Sequence, residues 1–447
     1  MRIAEKQRST GIFIFFCLNL PINARYRPEN LFVAGLTPGG KEPTVTTINN
    51  ILEPIVQDLE ILQEGRVFRT PTNPTLGLVF CVLLLVLIGD IPALRKVAAF
   101  ASHSASLFCS LCKLHRKDID RLDIERWEPR TKEEHLVGAD LWHKAQTHEQ
   151  REATFRKYGV RYSVLNRLRY RDPVRHTVLG VMHNVCEGLL QNHFRRQWGI
   201  NAITKQKGSN TGANTELPPP SDEDDDISLD DDDLDMAAEV AALEEEREEA
   251  ALANAGPPVD LAAERSWYQH TVDANYDVSC IFQRAEFLRL RESMDEVQVP
   301  SWVERLPSDL GYASAGRLKA DAWFNLYTIF LPLTLGTLWL QDSSNERNTA
   351  LFDNFANLVT AANIACAYSV TVIEADQYLR AYKAFRQGLK ALFPHSKAVP
   401  NHHFAMHIAE LLQYWGPLMY VSEWPGERVI GNFGRSLNNG KLGKTSF

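Results

Sequence analysis

Cys109 and Cys112 are separated by two residues in the string LFCSLCKLH. Two thiolates at that spacing can bind one metal ion from a tight turn, which is half of a tetrahedral zinc site. A complete site needs two more donors. His403 and His407 stand at i and i+4 on an expected helix, so they share a face and could supply those donors from far along the chain. His115 and His183 are rival donors. The alternative is a pair of reduced thiols near a core. A thioredoxin-like role is disfavoured, because the pair does not open a helix directly after a strand.

The second candidate is Asp90. It follows Gly89 at the end of the apolar run LGLVFCVLLLVLI, Leu76 to Ile88. Bounded by Pro74 and Gly89, that run predicts a strand buried on both faces. It is too short to span a bilayer, which takes about 20 apolar residues. A carboxylate at the carboxyl end of a central strand points into the crevice where α/β sheets bind ligands. The competing reading makes Asp90 the cap of a following helix, with Pro92 in its first turn.

Several chemistries lack support. His402, His403 and His407 have no Glu in the HExxH position of metalloproteases. The sequence has no Walker or Rossmann phosphate loop and no GxSxG nucleophile elbow.

The elements that must position these residues follow from patterning. The runs GIFIFFCLNL and RYRPENLFVAGL, within residues 11 to 36, predict adjacent antiparallel strands closed by Pro38, Gly39, Gly40 and Pro43. The N-terminus superficially resembles a signal peptide. However, its apolar stretch ends in Asn19-Leu20-Pro21 without a small-residue cleavage site, so Gly11 to Leu18 is read as a strand. Thr46 to Leu62 carries Ile48, Ile51, Leu52, Ile55, Val56, Leu59 and Leu62 at helical spacing, with Pro54 as a kink or a second start. Strand, strand, helix, strand ending in Asp is an α/β order.

Residues 113 to 200 are polar and helical in pattern. Arg161, Arg167, Arg169, Arg171 and Arg175 interleave with Tyr158, Tyr162 and Tyr170. Such a stretch fits phosphate contact with aromatic stacking, or a solvated helix face. In VLGVMHNVCEGLLQNHFRRQW, Val181, Val185, Leu189 and Phe194 lie near one face, and His183 and Glu187 project together at i and i+4. From 266 to 420 the chain is mainly helical. Segments are expected at Lys319 to Leu331, Glu346 to Ala365, Asp376 to Leu392 and His402 to Trp415, with a stop at Gly416-Pro417.

The 447 residues predict two or three units. The net charge of -8 conceals a local -15 between Asp222 and Glu249, so the rest of the chain carries +7. A mildly basic body with an acidic insert weakly favours a nucleic-acid-facing protein. Residues 205 to 262 read as a disordered linker, with a charged helix over Met236 to Ala253 as an option. The insert could mimic nucleic-acid charge or bind a basic partner, or it could be a solvated insertion. Cys17, Cys81, Cys186, Cys280 and Cys366 lie singly, which is intracellular usage and not a disulfide framework.

Six blocks then add up. NLPINARYRPENLFVAGLTPGGKEP, GDIPALRKVAAFASHSASLFCSLC, VMHNVCEGLLQNHFR, ADAWFNLYTIFLPLTL, VPNHHFAMHI and WPGERVIGNFGRSLNNGKLG run in that order across nearly the whole chain. Together they resemble the transposases of fungal CACTA-type (En/Spm-like) DNA transposons. The resemblance implies an α/β, RNase H-like, DDE-type core with a large, mainly helical insertion and an acidic disordered segment. In such enzymes three carboxylates hold two divalent ions, Mg²⁺ or Mn²⁺, for DNA strand cleavage and transfer. It implies that Asp90 is the second carboxylate and Glu427 the third, with Glu187 as runner-up.

Two departures accompany it. The family's first Asp lies upstream of the strand near Gly11. Family members also carry an Asp just before Met-His-Asn, where this chain has Gly180-Val181. The expectation is therefore a truncated, inactive relative, with a non-catalytic DNA- or protein-binding remnant as the alternative. The expected divisions are 1–115 (first part of the core), 116–204 (helical, basic), 205–262 (acidic linker) and 263–447 (mainly helical). Expected partners are transposon-end DNA in the nucleus and no membrane, with a homo-oligomer left open. A structural Zn²⁺ is the further cofactor expected.

Overall fold

A computed structural model of the chain describes residues 11–37, 43–200, 281–282, 284–307, 310, 318–341 and 344–437. The acidic segment 205–262, its expected helix, Cys280 and the Pro38-Gly39-Gly40 closure lie outside the described residues. The architecture is mixed α/β and mostly helical, with small antiparallel sheets. It divides into two compact units, Met1–Leu189 with Asp353–Phe447, and Leu190–Phe352. The region expected as one piece, 263–447, is thus shared between the two.

In the first unit, β1 (Ile12–Phe16) pairs antiparallel with β2 (Leu31–Leu36), as the two apolar runs require. Helix α1 (Ile48–Gln63) follows. Its Ile48, Leu52, Val56 and Leu59 are buried against Val97, Val164, Leu165 and Leu168. The helix continues through Pro54, which lies on the exposed side. An interior proline costs a backbone hydrogen bond, and the burial of the opposite face offsets it. Arg167 clamps the same helix through Glu53 and Glu60.

The run Leu76 to Ile88 is not a single strand buried on both faces. Pro71 and Thr72 form a tight turn, and β3 (Arg66–Thr70) pairs antiparallel with β4 (Asn73–Phe80) as an exposed hairpin. The second half of the run leaves the hairpin without regular structure, and Leu84 and Leu87 pack against the α1 core. The proline favours the first corner of a turn, and the reach of Arg66–Thr70 as a partner strand decided the pairing. A continuous apolar stretch therefore serves two environments, which its composition does not reveal.

Leu87 makes an isolated parallel bridge with Thr177. Its amide donates to the His176 carbonyl at 2.7 Å, and its carbonyl accepts from Val178 N at 3.1 Å. Both segments leave this bridge in the same direction, one toward Asp90 and the other toward Gly180. Asp90 caps helix α2 (Ile91–Ala98), its Oδ1 accepting from Ala93 N at 2.7 Å.

The stretch around Met-His-Asn is a wide helix. Met182–Leu190 and His193–Gln197 are π-helical, and Val181, Val185, Leu189 and Phe194 are buried as their spacing predicts. Later helices cover Glu346–Ala365, Val372–Leu392, Pro400–Phe404, Ile408–Trp415 and Trp424–Leu437. Thr371 starts the second of these with a capping box to Glu374, four or five residues ahead of the start read from Asp376. Gly416, at φ +73°, ends the fourth.

The second unit packs helices Arg284–Glu296, Ala320–Asn325 and Leu331–Trp339 around aromatic side chains. Trp198 meets Phe282 and Trp339 edge-on, with ring centroids 5.5 and 5.6 Å apart. No helix among the described residues is long and apolar enough to cross a membrane.

Leu52→Ala should leave a cavity under α1 and lower stability by about 2–4 kcal/mol. Chemical denaturation would show this as a lower midpoint at unchanged slope.

Candidate metal centre

Cys109, Cys112, His403 and His407 converge, although 291 positions separate Cys112 from His403. All four are buried, and their ligand atoms lie within 4.8 Å of one another. Cys109 Sγ is 3.5 Å from His407 Nε2, and Cys112 Sγ is 3.3 Å from His403 Nε2. A tetrahedron with Zn–S of ~2.3 Å and Zn–N of ~2.0–2.1 Å has an S···N edge of about 3.5 Å. The donor set, its spacing and its burial therefore fit zinc, and the cluster can bind that ion.

Local structure fixes each half. Arg130 grips the Cys turn: its Nε donates to the carbonyls of Cys109 and Cys112 at 2.8 and 3.2 Å, and its Nη2 to that of Leu107 at 3.2 Å. Cys112 also bridges antiparallel to Pro129. Leu111 N donates to Cys109 Sγ at 3.3 Å. On the histidine side, Pro400 opens the helix, and the chain tightens to a 3₁₀ turn at Ala405–His407. The buried hydroxyls of Tyr378 and Tyr382 donate to the carbonyls of Ala405 and His402, both at 2.9 Å. Trp127 stacks on the His403 ring at 4.5 Å. Glu410 Oε2 lies 3.6 Å from His407 Nδ1, behind the ligand atom, where a carboxylate orients a metal-binding imidazole.

The electrostatics prepare the site for a cation. Burial pushes the Cys109 thiol up, but the hydrogen bond from Cys112 and the imidazoles of His407 and His403 outweigh it and hold it well below its usual range. Cys112 is raised, first by its hydrogen bond to Cys109, then by burial. Burial lowers His407, yet the Cys109 thiolate carries it up to about 9. Sulfur and imidazole thus favour each other's charged forms within the tetrad. A zinc held by Cys109, Cys112, His403 and His407 would supply the positive charge that favours both sulfurs as thiolates and both imidazoles as neutral ligands.

His183 is not part of this group. Its Nδ1 is 2.8 Å from Glu187 Oε2, and its Nε2 is 3.8 Å from Glu427 Oε1. His115 is exposed and bonded to Ser106 Oγ. The Glu187 and Glu427 anticipated from the sequence therefore do share one neighbourhood, with His183 between them. Burial lowers the His183 pKa, but the hydrogen bond to Glu187, then Glu427 and the charge of Glu423, bring it up to about 10.

Glu423 was missed in the sequence. It precedes helix Trp424–Leu437 and is buried, its Oε2 accepting from Met182 N at 3.2 Å. Its carboxylate lies against Gly180: a Cβ at that position would come within 1.8 Å of Oε1. A larger residue there would have to displace that carboxylate. The one signal was its place four residues before Glu427, one helical turn away. Burial pushes Glu423 up to about 7.

Asp90 uses its carboxylate on the helix cap, as the competing reading held. Among the five arginines, Arg161 and Arg171 are buried and Arg167 is paired with Glu53 and Glu60. Arg169 and Arg175 are exposed, and Arg175 lies over the Tyr414 ring. The stretch does not present five guanidinium groups on one solvent face.

For the carboxylate-bound Mg²⁺ or Mn²⁺ implied by the resemblance, the fit fails. Among the described residues, the group of three or more His, Cys, Asp and Glu whose ligand atoms lie within 4.8 Å is the Cys₂His₂ tetrad, and the carboxylates form no such group. No protein-family model matches the chain, and no curated protein matches it.

Two outcomes follow. The purified chain should carry one zinc, and Cys112→Ser or His407→Ala should abolish it and lower the melting temperature, as read by elemental analysis and calorimetry. Glu423 has a raised folded pKa, so its protonated form contributes stability present below about pH 4.5 and lost as pH rises through about 7. Glu423→Gln removes that loss. It should stabilise the protein by up to about 3 kcal/mol above pH 7 and flatten the profile between those values.

Proposed function

We propose that this chain is a transposase-derived protein that keeps a folded remnant of an RNase H-like strand-transfer core, is stapled by a structural zinc and no longer cuts DNA. The observation that carries the reading is the convergence of three distant blocks. The segment ending in Asp90 pairs with the one ending in Gly180 through Leu87 and Thr177. Glu423 seats on Gly180, and His183 reaches both Glu187 and Glu427. These are the stretches in which the resemblance to CACTA-type transposases implies the catalytic acids.

The same geometry supports loss of cleavage. Two-ion phosphoryl chemistry needs carboxylates pooled around the ions. Here Asp90 is engaged as a cap, an imidazolium lies between Glu187 and Glu427, and Gly180 stands where the resemblance implies an acid. The tetrad of Cys109, Cys112, His403 and His407 would hold zinc as a fold element: its four protein donors leave no open position for substrate. Binding of transposon-end DNA in the nucleus belongs to this reading. A non-catalytic binding remnant that uses the Arg161 to Arg175 stretch is supported less well, because Arg161 and Arg171 are buried and Arg167 is paired with Glu53 and Glu60.

The test is a strand-nicking and strand-transfer assay on the zinc-loaded chain with Mn²⁺, alongside Asp90→Ala. The expected result is no cleavage by either protein, with duplex DNA retained in a salt-dependent way. Mn²⁺-dependent nicking that disappears in Asp90→Ala would overturn the loss of activity. Absence of DNA retention would remove the DNA partner.

A further inference from the structure

The most apolar stretch of the sequence is largely in solvent. Leu76 is 84% exposed, Val79 68% and Val67 63%. Phe68, Leu78 and Leu83 are exposed as well. The register puts Phe68 opposite Leu78 and Val67 opposite Val79, so neighbouring cross-strand pairs project to opposite faces of the β3–β4 hairpin. Both faces are therefore apolar and open. An isolated two-stranded hairpin is marginally stable at best in water, and a further strand or a packed helix is what stabilises it.

We infer that β4 is a self-association edge, where two copies of this chain pair their β4 strands antiparallel into one four-stranded sheet. Three observations select this occupant. First, both faces are uncovered. A body docking on one face would leave the other wet, whereas an added strand sets new side chains beside the old ones on both. The incoming strand must then be apolar on both sides, and β4 itself has that character. Self-complementarity of this kind is what a twofold interface requires.

Second, the edges differ. Among the described residues the hairpin forms its own two-stranded sheet, so both outer edges are free. The β3 edge carries the exposed Arg66 and Arg69, and pairing two β3 strands would oppose like charges. The β4 edge from Leu76 to Phe80 has no charge, and Pro74, which lacks an amide proton, lies near the start of the strand where it does not interrupt that stretch. Third, the apolar exposure is extensive: Leu76, Val67, Val79 and Leu83 are each more than half exposed.

The test compares the zinc-loaded wild type with Leu76→Lys and Val79→Lys by sedimentation velocity and light scattering. The expected result is a dimeric wild type and monomeric variants with unchanged zinc content and far-UV circular dichroism. Hydrogen exchange on the wild type alone provides a reading that does not depend on variant folding: amides of Leu76 to Phe80 should exchange more slowly as concentration rises. A wild type that stays monomeric over the range, variants that remain dimeric, concentration-independent exchange in β4, or binding of the monomer to lipid vesicles through this hairpin would each overturn the inference.

Discussion

The contact between two thiols and two imidazoles is the constraint on which the first unit depends. It closes a loop of 291 positions between Cys112 and His403. Closing so long a loop is entropically costly, although the cost rises only slowly with length. A structural zinc contributes on the order of 10 kcal/mol in small domains, enough to dominate that term. The closure also carries positional information. His407 leads directly into helix Ile408–Trp415, then the turn at Gly416, then Glu423 and helix Trp424–Leu437. The tetrad thus fixes where the chain re-enters, and the re-entry sets Glu423 against Gly180 and Glu427 near His183.

The tetrad is also an electrostatic device. Arg95 and Arg130 are buried in its vicinity, and burial lowers both, Arg95 to about 10, with the Cys109 thiolate acting against that fall. Two buried guanidinium groups need anionic or dipolar partners. Arg130 finds them in the carbonyls of the Cys turn, and Arg95 in the carbonyl of Ala101. The positive surroundings favour sulfur in its ionised form, and a bound cation then balances two thiolates. Cation binding, turn geometry and arginine burial are therefore coupled, and substitution of Arg130 would loosen both cysteines through their backbone.

Much of this arrangement was legible. The CxxC spacing and the i, i+4 histidines named all four donors, because metal chemistry restricts ligand type and helical geometry restricts spacing. The α1 face and the β1–β2 pair followed from apolar period alone. The run Leu76 to Ile88 was misread because apolar composition records what a segment would prefer to cover, not whether anything covers it; an exposed self-pairing edge and a buried strand share one signature. The arginine stretch misled for the complementary reason. Charge in sequence says nothing of burial, and Arg161 and Arg171 ended inside, the first over the Phe155 ring and the second bonded to Thr177 Oγ1. Glu423 was invisible because its role comes from meeting a glycine 243 positions away, a contact that no local pattern encodes.

That meeting bears on how a carboxylate site decays. On the proposed ancestry, an acid once stood at position 180, and two carboxylates so close would repel each other without an ion between them. Removing the acid relieves the repulsion and leaves a notch lined by backbone. A glutamate on an adjoining helix start can fold into it, where Met182 N donates to its carboxylate and burial drives it toward the neutral form. The filled notch then opposes its own reversal. A side chain reintroduced at 180 would have to displace the Glu423 carboxylate, and a metal ion would have to draw Glu423 out of its buried seat while competing with His183 for Glu187 and Glu427. Each of these contacts opposes cation binding, so on the proposed ancestry the loss of one acid would leave His183, held by Glu187 and Glu427, where a metal charge would have stood.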